Sequence, residues 1–369
     1  MSDNEKKIKL SLDDLTGEDI TKRVSQMEDA KKVALVRNVG APTSNPDGNA
    51  GLKAIAFLTG AGAIGGVLAW IFIKVILYGA LSAETRGTTF SNLGFTFSLA
   101  LVIGLTLSIS EAASTRIMSK VGSAAMIAVP SAIGLGLLIG SIANSYYSNT
   151  MQNLYAQAIG RINNGESSET VSNWLTSQTH IPRGIAWLLV GLAAGLTVGA
   201  ASKSSKRLAL TSGGGAIGGF LGGFFFDFFP QDLEWAAQIG GITLTGLLIG
   251  LSMALLEQAA RTQWIEIVAG GMAGKQFILY KRDITIGSSP TADITLIKDT
   301  AIAPLHARIY AQGGRTVLES LNPGMPCSVD GVTDNKFNLL DGSNVTLGGT
   351  TIRFREKKNQ KQPTGGIIN

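Results

Sequence analysis

The sequence is poor in charge, in cysteine and in histidine, and each scarcity excludes something. Charged residues make up 15% of the 369, well under the about 25% usual in a soluble globular domain. A fold wholly in water is disfavoured. The single cysteine, Cys327, excludes an intramolecular disulfide and a cysteine-ligated structural zinc centre, and reads as an inert packed thiol. Only His180 and His306 are histidines. No Walker sequence, HExxH pair, nucleophile elbow or kinase signature occurs, so the expectation is no enzyme, no metal and no cofactor. Net charge is +5 and pI about 9.2, yet no basic block interleaved with aromatics marks a nucleic-acid surface. The basic excess instead orients the chain in a bilayer. Residues 1–15, MSDNEKKIKLSLDDL, lack the basic-then-apolar order of a secretory signal, so insertion is expected to use an internal segment.

Glycine, by contrast, is abundant at 46 residues, and mean hydropathy is +0.25. Six apolar runs, near 52–79, 92–112, 122–146, 184–201, 212–230 and 236–258, have the length a helix needs to cross about 30 Å of hydrocarbon. Each is expected to be a helix, because a lone strand in lipid leaves its amides unpaired and the alternation of a barrel strand is missing. An α-helical transmembrane bundle of six spans follows. Lys and Arg concentrate after even-numbered spans (Arg116, Lys120, Lys203, Lys206, Arg207), which places both termini in the cytoplasm of a multi-pass inner-membrane protein. Tyr146, Tyr147, Trp187, Phe228, Phe229 and Trp235 are expected at the outer headgroup level. Residues 148–182 form the one sizeable outer loop, with a short amphipathic helix around Met151 to Ile162.

An internal repeat is visible. GLTLSISEAASTR at 104–116 aligns with GLTVGAASKSSKR at 195–207 and with GLSMALLEQAART at 250–262, and GAIGG recurs at 62–66 and 215–219; a duplicated hairpin accounts for it. Residues Gly60–Gly65 and Gly213–Gly218, which overlap the GAIGG copies, satisfy GxGxxG, but they lie inside apolar runs rather than after a strand, so helix packing explains them and dinucleotide binding does not. The same small-residue faces make self-association into a homo-oligomer plausible. Ionisable groups in the runs are few: Lys74 near a helix end, Glu111 and Glu257 at matching places, Asp227 at the outer boundary. A packed anchor is simpler than a pore. A channel or transport subunit stays open as an alternative.

Ahead of the bundle, residues 1–50 are polar, with a capping-box spacing at Thr16 and Asp19 opening a short helix and APTSNPDGNAG as a linker. Behind it, from Trp264, short alternating runs such as WIEIVAGG, DITIGSS and HARIYAQGG punctuated by turns indicate an antiparallel β-sandwich of about ten strands. The expected layout is 1–50 polar segment, 51–261 bundle, 262–357 sandwich, 358–369 disordered tail.

Within the sandwich, ITIGSSPTADITL, DTAIAPLHARI, LESLNPGMPCSVDGV and LLDGSNVTLGGTTIRF follow one another. Together they resemble the forkhead-associated (FHA) domain, over residues 264–356, at the end of a polytopic bacterial membrane protein. The resemblance implies an eleven-stranded β-sandwich whose loops read phosphothreonine peptides. It also implies the site positions Ser288, Ala303, His306, Asn322, Asp330 and Gly331, with Gly287 and His306 structural. Family members carry arginine where Ser288 stands, serine where Ala303 stands and asparagine where Asp330 stands; His306 and Asn322 are kept. A phosphate carries about −1.5 to −2 charge, and losing its arginine and hydroxyl weakens its grip. Asp330 is expected to repel it, with Lys298 or Arg308 as candidate substitutes. The resulting expectation is a scaffold that docks a cytoplasmic protein partner at the lipid bilayer without needing phosphate; a working phosphothreonine reader is the alternative.

Overall fold

In a computed structural model of the protein, residues 46–80, 82, 89–114, 118–228, 234–297, 299–322 and 324–357 are described. The helix expected near Thr16, residues 41–45 of the linker, Phe229, Lys298 and the tail lie outside them, while 46–51, expected as the rest of that linker, are helical. Six long helices come first: α1 (Pro46–Ile71), α2 (Thr89–Ser114), α3 (Met118–Asn163), α4 (Ser168–Ala201), α5 (Ser205–Phe225) and α6 (Glu234–Ala259). All six are long and apolar enough to cross a membrane. Pro46 is tolerated at the head of α1 because an N–H there has no intrahelical acceptor, and α1 runs on into a π-helical turn at Phe72–Leu77. Neighbouring helices pack in sequence order, and α1 also packs on α6, so the bundle closes on itself.

Two expectations for the far end of the bundle fail. Residues 148–182 are no loop. α3 continues through Pro130 and Tyr147 to Asn163, and α4 already begins at Ser168. The two helices project as a hairpin, about 24 Å beyond Tyr147 at 1.5 Å per residue. Its tip is built locally. Gly165 takes φ +91°, the Ser167 hydroxyl accepts from the Thr170 N–H at 3.2 Å, Arg161 pairs with Glu166 at 3.0 Å, and the Arg161 guanidinium lies 4.6 Å from the Trp174 ring. Polar side chains ended the apolar run without ending the helix. Trp187, expected at headgroup level, is instead buried in the core beside Phe95 and Phe226; Phe228 and Trp235 are exposed.

Glycine sets how closely the helices approach. A Cβ on Gly191 of α4 would fall on the carbonyl oxygen of Gly215 in α5, and one on Gly215 would fall on that of Gly191. Gly62 of α1 and Gly246 of α6 exclude each other's Cβ in the same way. Gly62 and Gly215 hold the same place in the repeated GAIGG, and Gly246 and Gly191 each precede a repeated Gly-Leu by four residues. The repeat is therefore a repeated contact. One copy is the α4–α5 hairpin; the other joins the first and last helices, which are not a hairpin.

Three residues after α6 the chain enters an eleven-stranded sandwich: β1 (Gln263–Ala269), β2 (Gln276–Ile278), β3 (Asp283–Gly287), β4 (Ile294–Thr295), β5 (Ala307–Gln312), β6 (Arg315–Ser320), β7 (Cys327–Val329), β8 (Val332–Asp334), β9 (Lys336–Leu339), β10 (Asn344–Leu347) and β11 (Thr350–Glu356). One sheet has the order β2-β1-β11-β10-β7-β8 and the other β4-β3-β5-β6-β9. Alternation turns Ile265, Ile267, Ile286, Leu318, Val345, Ile352 and Phe354 inward to a shared core with Cys327; burial pushes the Cys327 thiol up to about 11. Pairing is antiparallel save for β3 with β4, which run parallel. There the Asp293 carboxylate accepts from the Thr285 N–H and hydroxyl, each at 3.0 Å, and brings the chain back alongside β3.

Candidate functional site

The positions singled out in the sequence gather, with one exception, where β3, β4–β5 and β6–β7 meet. Gly287 ends β3 with no room for a side chain, since a Cβ would fall on the Pro304 carbonyl oxygen. Beyond it the backbone is stitched to the opposite loop: Ser288 N–H donates to the Ala303 carbonyl at 3.0 Å and Ser289 N–H to that of Pro304 at 3.1 Å. The Ser288 hydroxyl donates to the Ile302 carbonyl at 2.9 Å. Both groups at Ser288 thus serve the fold, and Ala303 is buried.

His306 is the peg of this loop. It is 2% exposed, its N–H donates to Ile286 at 2.9 Å and its carbonyl accepts from Leu321 at 2.9 Å. Its Nδ1 accepts the Ala303 N–H at 3.2 Å. Burial holds the imidazole below its ordinary value, against the pull of Asp299, so the ring is neutral at neutral pH and Nδ1 can accept. Asp299 fastens the same loop from its other side, accepting from Gly349 N–H at 2.9 Å and the Thr350 hydroxyl at 2.7 Å. Asn322 shapes the β6–β7 loop, its Oδ1 accepting from Gly324 N–H at 3.2 Å and its carbonyl accepting from Met325 N–H at 2.9 Å.

Asp330 and Gly331 are the exception. Val329 pairs with Val332, so the two residues form the tight turn between β7 and β8. Both have positive φ, +50° and +87°, which is what a two-residue hairpin of this kind demands. The Asp330 carboxylate accepts from the Asn344 N–H at 3.0 Å. This carboxylate thereby caps the neighbouring strand β10. Arg308 is spent as well. It faces Glu319 across β5 and β6, donating through Nε and Nη2 at 2.9 and 2.7 Å, which raises the guanidinium and lowers the carboxyl through that hydrogen bond. Around the loops three large apolar side chains face outward: Leu305, Leu321 and Met325 are 45%, 39% and 41% exposed.

Sequence reasoning missed how this end meets the bundle. Lys120, at the start of α3, donates to the carbonyls of Ala292 and Asp293 in the β3–β4 loop at 3.1 and 2.9 Å. Asp293 also pairs with Lys281 at 2.6 Å. Although burial opposes it, the Lys281 ammonium and Thr285 hold this carboxyl below the usual range. Arg207 of α5 pairs with both Glu111 of α2 and Glu257 of α6, the latter at 3.0 Å, and lies 5.4 Å from the Tyr280 ring of the sandwich. The two glutamates occupy the same place in the sequence repeat; nothing in the repeat put Arg207 between them. Among the described residues, no group of three or more His, Cys, Asp or Glu could hold a metal ion.

Residues 266–358 match a family described as the inner membrane component of T3SS, cytoplasmic domain. Among solved structures, the FHA domain of a Chlamydia trachomatis protein is 25% identical, covering 26% of this chain and 99% of that one, with a TM-score of 0.25. The cytoplasmic domain of the T3SS sorting platform protein PscD from P. aeruginosa is 22% identical, covering 27% and 83%, with a TM-score of 0.24. An FHA domain studied for phosphothreonine-dependent interactions is 23% identical, covering 27% and 99%, with a TM-score of 0.25. No curated protein matches the chain. The C-terminal unit is an eleven-stranded sandwich similar to FHA domains, behind six apolar helices.

Proposed function

We propose that the chain is a non-enzymatic scaffold of a bacterial inner membrane, in which α1–α6 span the bilayer and hold a cytoplasmic FHA-type sandwich against its surface to dock a protein partner. Docking uses the apolar rims of the β4–β5 and β6–β7 loops and does not need phosphate. One observation carries this reading. At the position where the family grips phosphate, the Ser288 hydroxyl, the Ala303 backbone and His306 Nδ1 are all engaged in holding the loops together, and Arg308 is engaged by Glu319. The match of 266–358 to cytoplasmic domains of secretion-system inner-membrane components supports an assembly role. The layout of 51–261 as bundle, 262–357 as sandwich and both termini in the cytoplasm belongs to the same proposal.

The test is a titration of the full-length protein in detergent with phosphothreonine and unphosphorylated peptides. The unaltered chain is expected to show no preference for phosphate. Ser288→Arg with Ala303→Ser is expected to create one, because an arginine and a hydroxyl together contribute about 3 kcal/mol, or over a hundredfold. Micromolar binding by the unaltered chain that disappears on dephosphorylation would overturn the reading in favour of a phosphothreonine reader.

A further inference from the structure

The hairpin formed by the outer ends of α3 and α4 carries almost no charge. Over residues 148–182, Arg161, Glu166 and Glu169 are the only charged side chains, where a soluble domain of average composition holds about one in four. All three sit near the tip, and Arg161 pairs with Glu166. α3 itself is uncharged from Val121 to Gly160. Beyond Tyr147 it nevertheless presents large apolar side chains outward: Tyr155, Ile159 and Ile162 are exposed, Ile159 by 60%. Their spacing puts them on one face of the helix. Ala158 and Val171 are buried within the hairpin, so the exposed stripe is a second apolar side.

The stripe does not stop at the outer boundary of the apolar run. Tyr155 stands about five helical turns above Leu137, and Leu137, Ile133 and Met126 are exposed on the same side of α3. Along that side Gly122 and Gly134 are open: no atom of the described residues lies within 4 Å of where a Cβ would stand. At Gly62, Gly191, Gly215 and Gly246 that place is filled by the backbone of another helix. Small residues on a helix face let a second helix approach closely, and the described helices of this chain leave these two places unused. Area fixes how far such a contact must run. A helix face about 10 Å wide offers roughly 240 Å² over the hairpin alone but roughly 700 Å² over the 46 residues of α3, and a standard interface takes about 800 Å² per partner. Only the whole helix comes close.

We propose that the outward face of α3, hairpin included, is the surface on which a second copy of this chain docks, the two copies related by a two-fold axis normal to the bilayer. The proposal rests on reading α1–α6 as membrane spans and is independent of what the sandwich binds. Copies inserted in one bilayer stand the same way up, so like faces meet side by side, and a closed pair is their simplest arrangement. A face without charge meets its own copy without like-charge repulsion. Gln152 and Asn163, exposed on the hairpin part of α3, each carry donors and an acceptor and so can pair with an identical side chain.

Light scattering of the full-length protein in detergent, with cysteine cross-linking in membranes, tests the surface. The unaltered chain is expected to have the mass of two copies. Ile159→Cys is expected to give a covalent dimer on mild oxidation, since the native Cys327 is buried in the sandwich core; Asn173→Cys, exposed on α4, is expected not to. Ile159→Asp should weaken the dimer at least about tenfold, through lost apolar burial and a pair of facing like charges. Ile159→Leu and Asn173→Asp should keep it, with helical circular dichroism as the check that each variant is folded. A single-copy mass for the unaltered chain, a dimer indifferent to Ile159→Asp, or equal cross-linking of the two cysteine variants would each overturn the proposal. So would cross-linking of Ile159→Cys in native membranes to a different protein only. Release of the chain from membranes by alkaline carbonate would sink the span reading itself, whereas a chain that stays embedded as a single copy sinks only the pairing.

Discussion

The bundle and the sandwich are built from much the same apolar alphabet and solve packing in opposite ways. In the sandwich, side chains fill the space: Phe354, Ile286, Ile352 and their neighbours are wholly buried between two sheets, and removing them from water drives the collapse. The bundle also buries side chains such as Leu99, Ile103 and Ile249, but its tightest helix contacts are made at glycine, as at Gly191 against Gly215 and Gly62 against Gly246. Lipid is as apolar as leucine, so burying leucine there gains little, and close backbone approach becomes the source of cohesion. A core in water is thus damaged by taking atoms away, a core in lipid by adding them.

Substitutions that reverse this assignment sharpen the contrast. Gly191→Val is expected to have the largest effect, because its Cβ falls on the Gly215 carbonyl oxygen and neither backbone can retreat. Loss of monodisperse protein and of helical circular dichroism in detergent is the expected result. A well-folded Gly191→Val would mean that the bundle packs through side chains as the sandwich does. Phe354→Ala comes next. It should destabilise the sandwich by about 3–5 kcal/mol and leave the helical signal intact, as followed by denaturant unfolding at separate wavelengths.

His306 gives the smallest and most specific effect. Burial depresses its pKa in the fold, while in the unfolded chain it titrates near 6.5. Below that value the unfolded state binds the extra proton, so the contribution of His306 is complete above about pH 6.5 and declines as pH falls. Comparison of sandwich stability at pH 6.5 and 5.5 should show a loss of at most about 1.4 kcal/mol from this residue. His306→Asn keeps an acceptor for the Ala303 N–H and is expected to remove that part of the pH dependence. An unchanged dependence in His306→Asn would assign it to other groups.

The same contrast governs how much of the molecule was legible in its sequence. Six apolar runs and a field of alternating strands announced the two halves, because hydropathy and period are local properties. The FHA motifs located Gly287, Ser288, Ala303 and His306 in one cluster, since in this fold those loops converge. The outer hairpin was hidden: Ser148, Asn149, Gln152 and Asn153 interrupt an apolar count, but none of them interrupts a helix. The part Asp330 plays in the fold was not legible, because it depends on a backbone angle and on Asn344, fourteen residues away. Lys120 and its acceptors in the β3–β4 loop are 172 and 173 residues apart, a separation at which no pattern speaks.

The passage from α6 to β1 is only Ala260–Thr262, a reach of about 10 Å even when fully stretched, and Arg261 is anchored there against the Trp264 ring at 3.7 Å and against Gln276 at 3.0 Å. A tether so short turns rotation or tilt of the last helix into displacement of the whole platform above it. Neighbouring copies in one bilayer would carry their platforms at equal height and bearing, like tiles set on posts of one length.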